Sequence, residues 1–306
     1  MCFEKFRHPR KEINISQWRS IIDQLTRFAP RIHLSGGEPL LYPEIEELLI
    51  YINKRNLFLV VTTNGTFLKK LASVITETVN QINISIDGPQ KLHDQIRGIP
   101  GTFDLIIEGV RKINEKKNRY PSIKVHSMIN FESPETMFDV LEIARSINAE
   151  GVKFLFPLFV DESAIEFHRE QLKGILNQDI NYWRGADRVA PVFKNLDSIR
   201  SIIRKLKEEK RMDIEIFPKF NDEQLLKYYN PSDNFSSVYR GSCRAPWNTA
   251  TILPDGALES CPDYILGNLQ EEKFLTLWNC KKMRNLRMRI KERRFFSVCR
   301  GCCFFY

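Results

Sequence analysis

The chain has 306 residues, of which 42% are hydrophobic and 27% charged, and its formal net charge is +8. This composition is that of a globular protein, and it excludes disordered, collagen-like and low-complexity chains. Its length predicts about two domains. No stretch approaches the roughly 18 apolar residues of a membrane helix, and no basic start precedes an apolar run as in a secretory signal. We therefore expect a cytoplasmic protein.

Residues 16–160 alternate between helical and extended patterns. Apolar spacing predicts helices at residues 16–28, 43–53, 66–79, 101–117 and 134–147. Short β-rich runs predict strands at residues 31–35, 57–63, 81–87, 123–130 and 151–157. This order of strands and helices predicts crossover units and a parallel sheet.

The third predicted strand has an informative alternation, because isoleucines alternate with polar residues over residues 82–87. A parallel strand covered by helices on both faces is usually apolar throughout. The alternation favours a barrel, with the isoleucines toward the helices and Asn83, Ser85 and Asp87 toward a polar interior. An edge strand with one solvated face is the alternative.

The remaining chain divides into two further regions. Residues 161–240 are more helical and more charged, contain a strand at residues 213–217, and end in a Pro-, Ser-, Asn- and Asp-rich linker. Residues 241–306 carry six of the seven cysteines. The predicted domains are therefore residues 1–160, a connecting region of residues 161–240, and a cysteine-rich domain of residues 241–306.

Polar motifs follow three successive strands, at the sheet edge where parallel strands bind ligands. Ser-Gly-Gly-Glu-Pro occupies residues 35–39, where the glycines allow close approach of a ligand and Glu38 can accept hydrogen bonds from an ammonium group. Thr-Thr-Asn-Gly occupies residues 62–65. After the third strand, Asp87 can hold a ribose diol and Arg97 a ligand carboxylate. Taken singly, these motifs also fit glycine turns, a helix cap and a surface ion pair.

The C-terminal cysteines predict a metal site rather than disulfides, given the expected cytoplasmic location. Pro254-Asp255-Gly256 predicts a hairpin turn that brings Cys243 and Cys261 together across two strands. Cys299 and Cys302 follow with Cys-x2-Cys spacing. These residues by themselves allow zinc or iron–sulfur.

A basic segment lies between these cysteines. Residues 281–294 contain eight Lys or Arg and one Glu. They form either a solvated helix face or a docking surface for nucleic acid, an acidic peptide or an electron donor.

The series Ser-Gly-Gly-Glu-Pro, Thr-Asn-Gly, Ser-Ile-Asp-Gly-Pro and His-Asp-x-x-Arg-Gly resembles the radical S-adenosylmethionine (radical SAM) superfamily over residues 2–160. The resemblance implies an α/β fold, a partial (β/α)6 TIM-like barrel here lacking its first strand. It also implies S-adenosylmethionine and a 4Fe–4S cluster as cofactors. Cys2 with Phe3 matches the third cysteine of the family's Cys-x3-Cys-x2-Cys motif, but the first two are absent. A wrong start codon, a truncated gene and a loss of radical chemistry are the three hypotheses for this departure.

The resemblance also implies residue roles. Residues after the first predicted strand would bind the amino group of the methionine part of the cofactor. Residues near the third predicted strand would bind its ribose and its carboxylate. The implied cofactor-binding residues are Gly36, Gly37, Glu38, Asn64, Ser85, Asp87 and Arg97. No catalytic residue is assigned.

The C-terminal region resembles the SPASM/twitch extensions of some radical SAM enzymes, which implies a small domain with a β-hairpin and a helix. By this resemblance Cys243, Cys261, Cys299 and Cys302 would bind one auxiliary 4Fe–4S cluster, with Cys303 as an alternative to Cys302. Too few cysteines remain for a second full cluster.

The implied activity is reductive cleavage of S-adenosylmethionine to a 5′-deoxyadenosyl radical that abstracts hydrogen from a peptide or protein side chain. A low-potential donor such as flavodoxin or ferredoxin would supply the electron. The alternatives are a small-molecule radical dehydrogenation or rearrangement, a truncated non-catalytic scaffold, and a zinc- and nucleic-acid-binding module. No membrane partner is expected.

Overall fold

The structure, a computed structural model, describes residues 10–116, 121–158, 160, 162–173, 195–229, 241–262 and 264–305. Its strands are β1 (Ile32–Leu34), β2 (Leu59–Thr63), β3 (Gln81–Ser85), β4 (Ser122–Met128), β5 (Gly151–Leu155), β6 (Asp213–Phe217), β7 (Thr251–Ile252), β8 (Ala257–Cys261) and β9 (Tyr264–Asn268). Its helices are α1 (Ile15–Thr26), α2 (Ile45–Lys54), α3 (Leu68–Thr78), α4 (Gln90–Arg97), α5 (Thr102–Asn114), α6 (Thr136–Ser146), α7 (Glu162–Lys173), α8 (Leu196–Lys207), α9 (Asp222–Tyr229), α10 (Ala245–Asn248), α11 (Phe274–Trp278) and α12 (Lys281–Arg293).

The described residues divide by their contacts into two compact units. The first comprises residues 25–156 and 195–217, and the second comprises residues 10–24, 157–173 and 218–305. Residues 213–217, predicted to lie in a connecting region, therefore belong to the first unit. The predicted boundaries at residues 160 and 240 remain a prediction.

The first unit is built on a six-stranded sheet in the order β1-β2-β3-β4-β5-β6, and every neighbouring pair is parallel. A helix follows each of the first five strands, as crossover connections between parallel strands require. The predicted α/β fold with a partial TIM-like barrel is confirmed. The six strands include β6, which the prediction had not placed in the sheet.

Strand β3 has the two faces that its sequence predicts. Ile82 and Ile84 are fully buried, and Ile84 lies on the same side as Ile106 of α5, since both would contact a Cβ added at Gly65. On the other face, the Asn83 amide donates to Thr62 Oγ1 at 3.0 Å and accepts from Gln81 Nε2 at 2.7 Å. The polar side chains of this strand are thus bonded to one another across the sheet.

The second unit contains the antiparallel sheet β7-β8-β9 and the helix α12. The turn between β7 and β8 is closed by the Gly256 N–H, which donates to Leu253 O at 2.9 Å, and Gly256 has φ +81°. This confirms the small C-terminal domain with a hairpin and a helix. Among the described residues, no helix combines the length and apolar character needed to cross a bilayer.

The predicted position of Cys243 on a hairpin strand is wrong. Strand β7 has only two residues, and Cys243 lies in the loop before α10. Pro246 near the start of α10 suits the first helical turn, where no backbone N–H is needed. The backbone N–H of Cys243 instead donates to Arg294 O, just beyond α12, at 3.0 Å.

Candidate functional site

The Glu38 carboxylate connects the ends of β1 and β2. Its Oε1 accepts hydrogen bonds from Thr63 Oγ1 at 2.7 Å and from Leu40 N at 3.1 Å, and its Oε2 accepts from Asn64 N at 2.7 Å. The Leu40 contact caps a short 3-10 helix that begins at Pro39. Both oxygens are therefore held in place, and Oε2, which accepts only one of these bonds, retains lone-pair capacity for a further donor.

The turn before Glu38 is open to solvent. Gly36 has φ +136°, a backbone conformation that favours glycine, and Cβ atoms added at Gly36 or Gly37 would meet no atom within 4 Å. The exposed peptide groups beside a fixed carboxylate can receive a ligand that carries both donors and acceptors. This arrangement fits the amino and carboxylate ends of an amino-acid cofactor.

Asn64 has a structural role in addition to any contact with a ligand. Its Oδ1 accepts hydrogen bonds from Thr66 N at 2.9 Å and Thr66 Oγ1 at 2.7 Å. Side chains that bond to the backbone two residues later stabilise a turn. The turn continues through Gly65, which has φ +82°.

Asp87 and Arg97 bind each other. Arg97 Nη2 lies 2.5 Å from Asp87 Oδ2, and Asp87 Oδ1 accepts from the Met128 N–H at 3.1 Å. The Asp87 side chain is 6% exposed and that of Arg97 is 32% exposed. The pair thus connects the end of β3 to β4 and to the last residue of α4.

The adjoining His-Asp pair is also used within the fold. His93 Nδ1 accepts from the Asp87 N–H at 3.2 Å, and desolvation chiefly lowers the pKa of this imidazole. Asp94 accepts from Thr102 Oγ1 at 2.7 Å and from Phe103 N at 2.9 Å at the start of α5, and the Thr102 bond is the main cause of its lowered pKa. Asp94 therefore caps the start of α5, as the helix-cap interpretation of this motif predicts.

A polar row beside Ser85 was missed by the sequence analysis. The strand register aligns Ser85, His126, Lys153 and Glu215 across β3 to β6. Lys153 Nζ lies 3.2 Å from Glu215 Oε1, and burial lowers the pKa of His126 to about 4. The alternation of residues 122–128, Ser-Ile-Lys-Val-His-Ser-Met, carried the signal that places His126 on this face.

The second unit brings four cysteines to one pocket. Cys243, Cys261, Cys299 and Cys302 line it together with Ile290 and Phe296. They come from the loop before α10, the end of β8 and the short 3-10 helix at residues 297–301 with the residue that follows it. The Phe296 N–H donates to Cys299 Sγ at 3.2 Å. Segments far apart in sequence therefore converge on one set of thiols.

The electrostatics of the pocket suit a positively charged metal centre. Burial raises the pKa of all four thiols, that of Cys299 to about 12. The neighbouring cysteines Cys299, Cys302 and Cys243 further raise the pKa of Cys261. Metal binding would convert the thiols to thiolates, and the positive charge of the metal centre would offset the repulsion between those thiolates. The donor set of four sulfurs therefore fits an iron–sulfur cluster.

Among the described residues, no group of three His, Cys, Asp or Glu is already arranged to hold a metal ion. The four thiols share one pocket, and their number fits either a zinc ion or an iron–sulfur cluster.

Three other cysteines differ from this set. Cys280 precedes α12 and is partly exposed, and Cys303 is exposed. Neither lines the pocket. Cys2, predicted to bind the radical SAM cluster, lies outside the described residues.

A parallel α/β sheet with a polar carboxyl edge, followed by a four-cysteine pocket, defines an iron–sulfur protein of the partial-barrel class. Residues 1–147 match the family model of the radical SAM superfamily, and residues 243–303 match that of SPASM, an iron–sulfur cluster-binding domain. The chain therefore carries a radical SAM domain and a C-terminal SPASM domain. These domains imply S-adenosylmethionine, a 4Fe–4S cluster and auxiliary iron–sulfur ligation, so the zinc alternative is not supported.

Curated relatives include tetrapyrrole-pathway enzymes and a bacteriocin biosynthesis protein. An AdoMet-dependent heme synthase of Methanosarcina barkeri is 24% identical over 96% of this chain and 83% of that protein. The subtilosin biosynthesis protein AlbA of Bacillus subtilis is 23% identical over 87% of this chain and 53% of that protein. An Fe-coproporphyrin III synthase of M. barkeri is 28% identical, but over 43% of this chain and 34% of that protein.

Solved structures share the fold. Streptococcus suis SuiB bound to S-adenosylmethionine has a TM-score of 0.65 and 15% identity, covering 99% of this chain and 68% of that one. Native anSMEcpe with bound AdoMet has a TM-score of 0.59 and 18% identity, covering 95% of this chain and 80% of that one.

Proposed function

We propose that this protein is a radical SAM enzyme that modifies a side chain of a peptide or protein. Bound S-adenosylmethionine would supply, on reduction, the 5′-deoxyadenosyl radical that takes a hydrogen atom from that side chain. The observation that carries the proposal is the convergence of four cysteines on one pocket in the SPASM domain. AlbA, a bacteriocin biosynthesis protein, and SuiB, solved with its precursor peptide SuiA, support a peptide substrate.

The first unit would orient the cofactor. The fixed Glu38 carboxylate would accept hydrogen bonds from the methionine ammonium group. The open turn at Gly36 and Gly37 would leave room for the amino-acid end of the cofactor. Asn64 and the residues at the end of β3 would complete the binding edge. Asp87 and Arg97 already form an ion pair, so they would contact the cofactor together. Arg97 would donate to it from the N–H groups that do not bond to Asp87.

The four cysteines would hold one auxiliary cluster. With Cys243, Cys261, Cys299 and Cys302 as ligands, each iron of a four-iron cluster would have its own protein thiolate. No iron would then be open to a substrate. This chain's own ligand set therefore favours electron transfer by the auxiliary centre over direct substrate binding.

The test is to produce the protein anaerobically from its gene, with any in-frame codons that precede Met1, together with any small precursor peptide encoded beside that gene. Peptide mass and 5′-deoxyadenosine are then measured. We expect loss of hydrogen from the peptide and one 5′-deoxyadenosine per event. The Cys261→Ala variant should abolish the product, and Cys280→Ala, outside the pocket, should retain it. A bound but unmodified peptide without 5′-deoxyadenosine would contradict the proposal and favour a non-catalytic scaffold.

A small tetrapyrrole is the second candidate substrate. The relative that covers 96% of this chain is a heme synthase, which is the observation that favours it. The matching experiment replaces the peptide with iron coproporphyrin III and follows its mass and absorbance. Conversion of the tetrapyrrole without any change to peptides would replace the peptide proposal.

A further inference from the structure

Helix α12 has an unusual concentration of unpaired positive charge. Three of its basic residues have partners: Lys282 donates to Ile265 O, Arg287 to Pro246 O, and Arg289 pairs with Glu292. Lys281, Arg284, Lys291 and Arg293 are exposed and form no ion pair among the described residues. These four cations are therefore available to a partner.

Three of these four cations, Lys281, Arg284 and Lys291, share one face of the helix. Residues 281, 284, 288 and 291 are spaced by three, four and three positions, which aligns them on an α-helix. We call Lys281, Arg284, Met288 and Lys291 the basic stripe. Met288 is 47% exposed and gives the stripe an apolar centre. The opposite face of α12 is buried through Met283, Leu286 and Ile290.

The same helix also forms a wall of the four-cysteine pocket. Ile290 lines the pocket, and Arg294 O, just after the helix, accepts the Cys243 N–H at 3.0 Å. The basic stripe is therefore separated from the thiols by little more than the width of one helix, about 10 Å. A cluster in the pocket would lie under a positively charged, partly apolar surface.

We propose that the basic stripe is the docking surface for an acidic one-electron carrier protein that exchanges electrons with the auxiliary cluster. The inference rests on the cluster ligands of the proposed function. In the exchange, a reduced carrier loses one electron and an oxidised cluster gains it, with no proton or bond transferred; the reverse direction uses the same surface. Carrier complexes of this kind are small, transient and electrostatically steered.

The position of the stripe favours this occupant over nucleic acid. The binding of a nucleic-acid phosphate backbone does not depend on a redox centre behind the helix. An electron carrier gains a short path, and electron transfer falls steeply with distance. Nucleic acid binding is therefore the competing outcome of the test.

The experiment mixes a reduced, low-potential acidic ferredoxin with the oxidised, iron-reconstituted protein in an anaerobic stopped-flow instrument. The test variant carries Lys281→Glu, Arg284→Glu and Lys291→Glu. The matched control carries Lys205→Glu, Lys207→Glu and Lys210→Glu, three exposed lysines in or just after α8 of the first unit. Circular dichroism and iron content confirm that both variants fold and load.

We expect the second-order rate constant to fall at least tenfold in the test variant and to change less than twofold in the control. Added salt should slow the wild-type protein and not the test variant, because screening removes the steering. Dithionite, a small reductant, should reduce all three proteins at similar rates.

An unchanged rate in a loaded test variant, or an equal fall in the control, overturns the docking proposal alone. Loss of binding to a fluorescent single-stranded RNA with no loss of ferredoxin rate overturns it in favour of nucleic acid. Failure of the wild-type chain to bind any cluster overturns the auxiliary-cluster ligands of the proposed function, and the docking proposal with them.

Discussion

Asp87 and Arg97, predicted to hold different parts of one cofactor, form an ion pair in which Nη2 lies 2.5 Å from Oδ2. The Met128 N–H adds a second bond to the same carboxylate. This buried carboxylate therefore joins β3, β4 and α4 before any ligand binds.

The Asp87→Ala variant should lower the free energy of unfolding by about 2 kcal/mol. It leaves the Met128 N–H without its acceptor and a partly buried guanidinium without its counter-ion. Asp87→Asn keeps an oxygen for Met128 and should cost less. Urea unfolding of both variants measures the difference; equal costs would mean that the Met128 bond contributes nothing.

Glu38→Gln should weaken S-adenosylmethionine binding about tenfold, which corresponds to ~1.4 kcal/mol. The substitution removes the negative charge that would attract the ammonium group, and the remaining amide oxygen keeps part of the contact with Thr63 or Asn64. Thr63→Val is the control, since it removes one donor to Glu38 and leaves the carboxylate. Equilibrium dialysis with radiolabelled cofactor gives both constants, and identical losses in the two variants would assign Glu38 a positioning role only.

Replacing any one of Cys243, Cys261, Cys299 and Cys302 with alanine should lower iron content and the sulfur-to-iron absorbance of the auxiliary cluster. Each removes a thiolate from the pocket. Cys280→Ala and Cys303→Ala should retain both, because neither side chain lines the pocket. Iron and sulfide analysis after anaerobic reconstitution makes the comparison. Loss of the cluster in Cys303→Ala with retention in Cys302→Ala would reverse the assignment of the last ligand.

Acidification should destabilise the first unit through His126. Desolvation, aided by Lys153, His33 and Lys124, lowers the pKa of this imidazole from 6.5 to about 4. Between these values the unfolded chain takes up a proton that the folded chain does not, so stability falls as the pH falls. The slope is at most about 1.4 kcal/mol per pH unit. His126→Gln should flatten the unfolding profile over this range, whereas an unchanged profile would assign the acid sensitivity to other groups.

Residue patterns alone predicted the parallel sheet, the polar face of β3, the strand-end motifs and the metal-binding cysteines of the C-terminal domain. These features are local, since periodicity and motif spacing are properties of neighbouring residues. They predicted the class of fold, and their resemblance to a known family implied the cofactors, without any distance between residues.

Which side chains meet was visible only in the folded chain. It paired Asp87 with Arg97, aligned Ser85 with His126, Lys153 and Glu215, added β6 to the sheet, and brought Cys243 to the pocket from a loop rather than a strand. Such contacts depend on strand register and on the packing of segments far apart in the chain, because each polar group takes the partner that the completed fold places within reach.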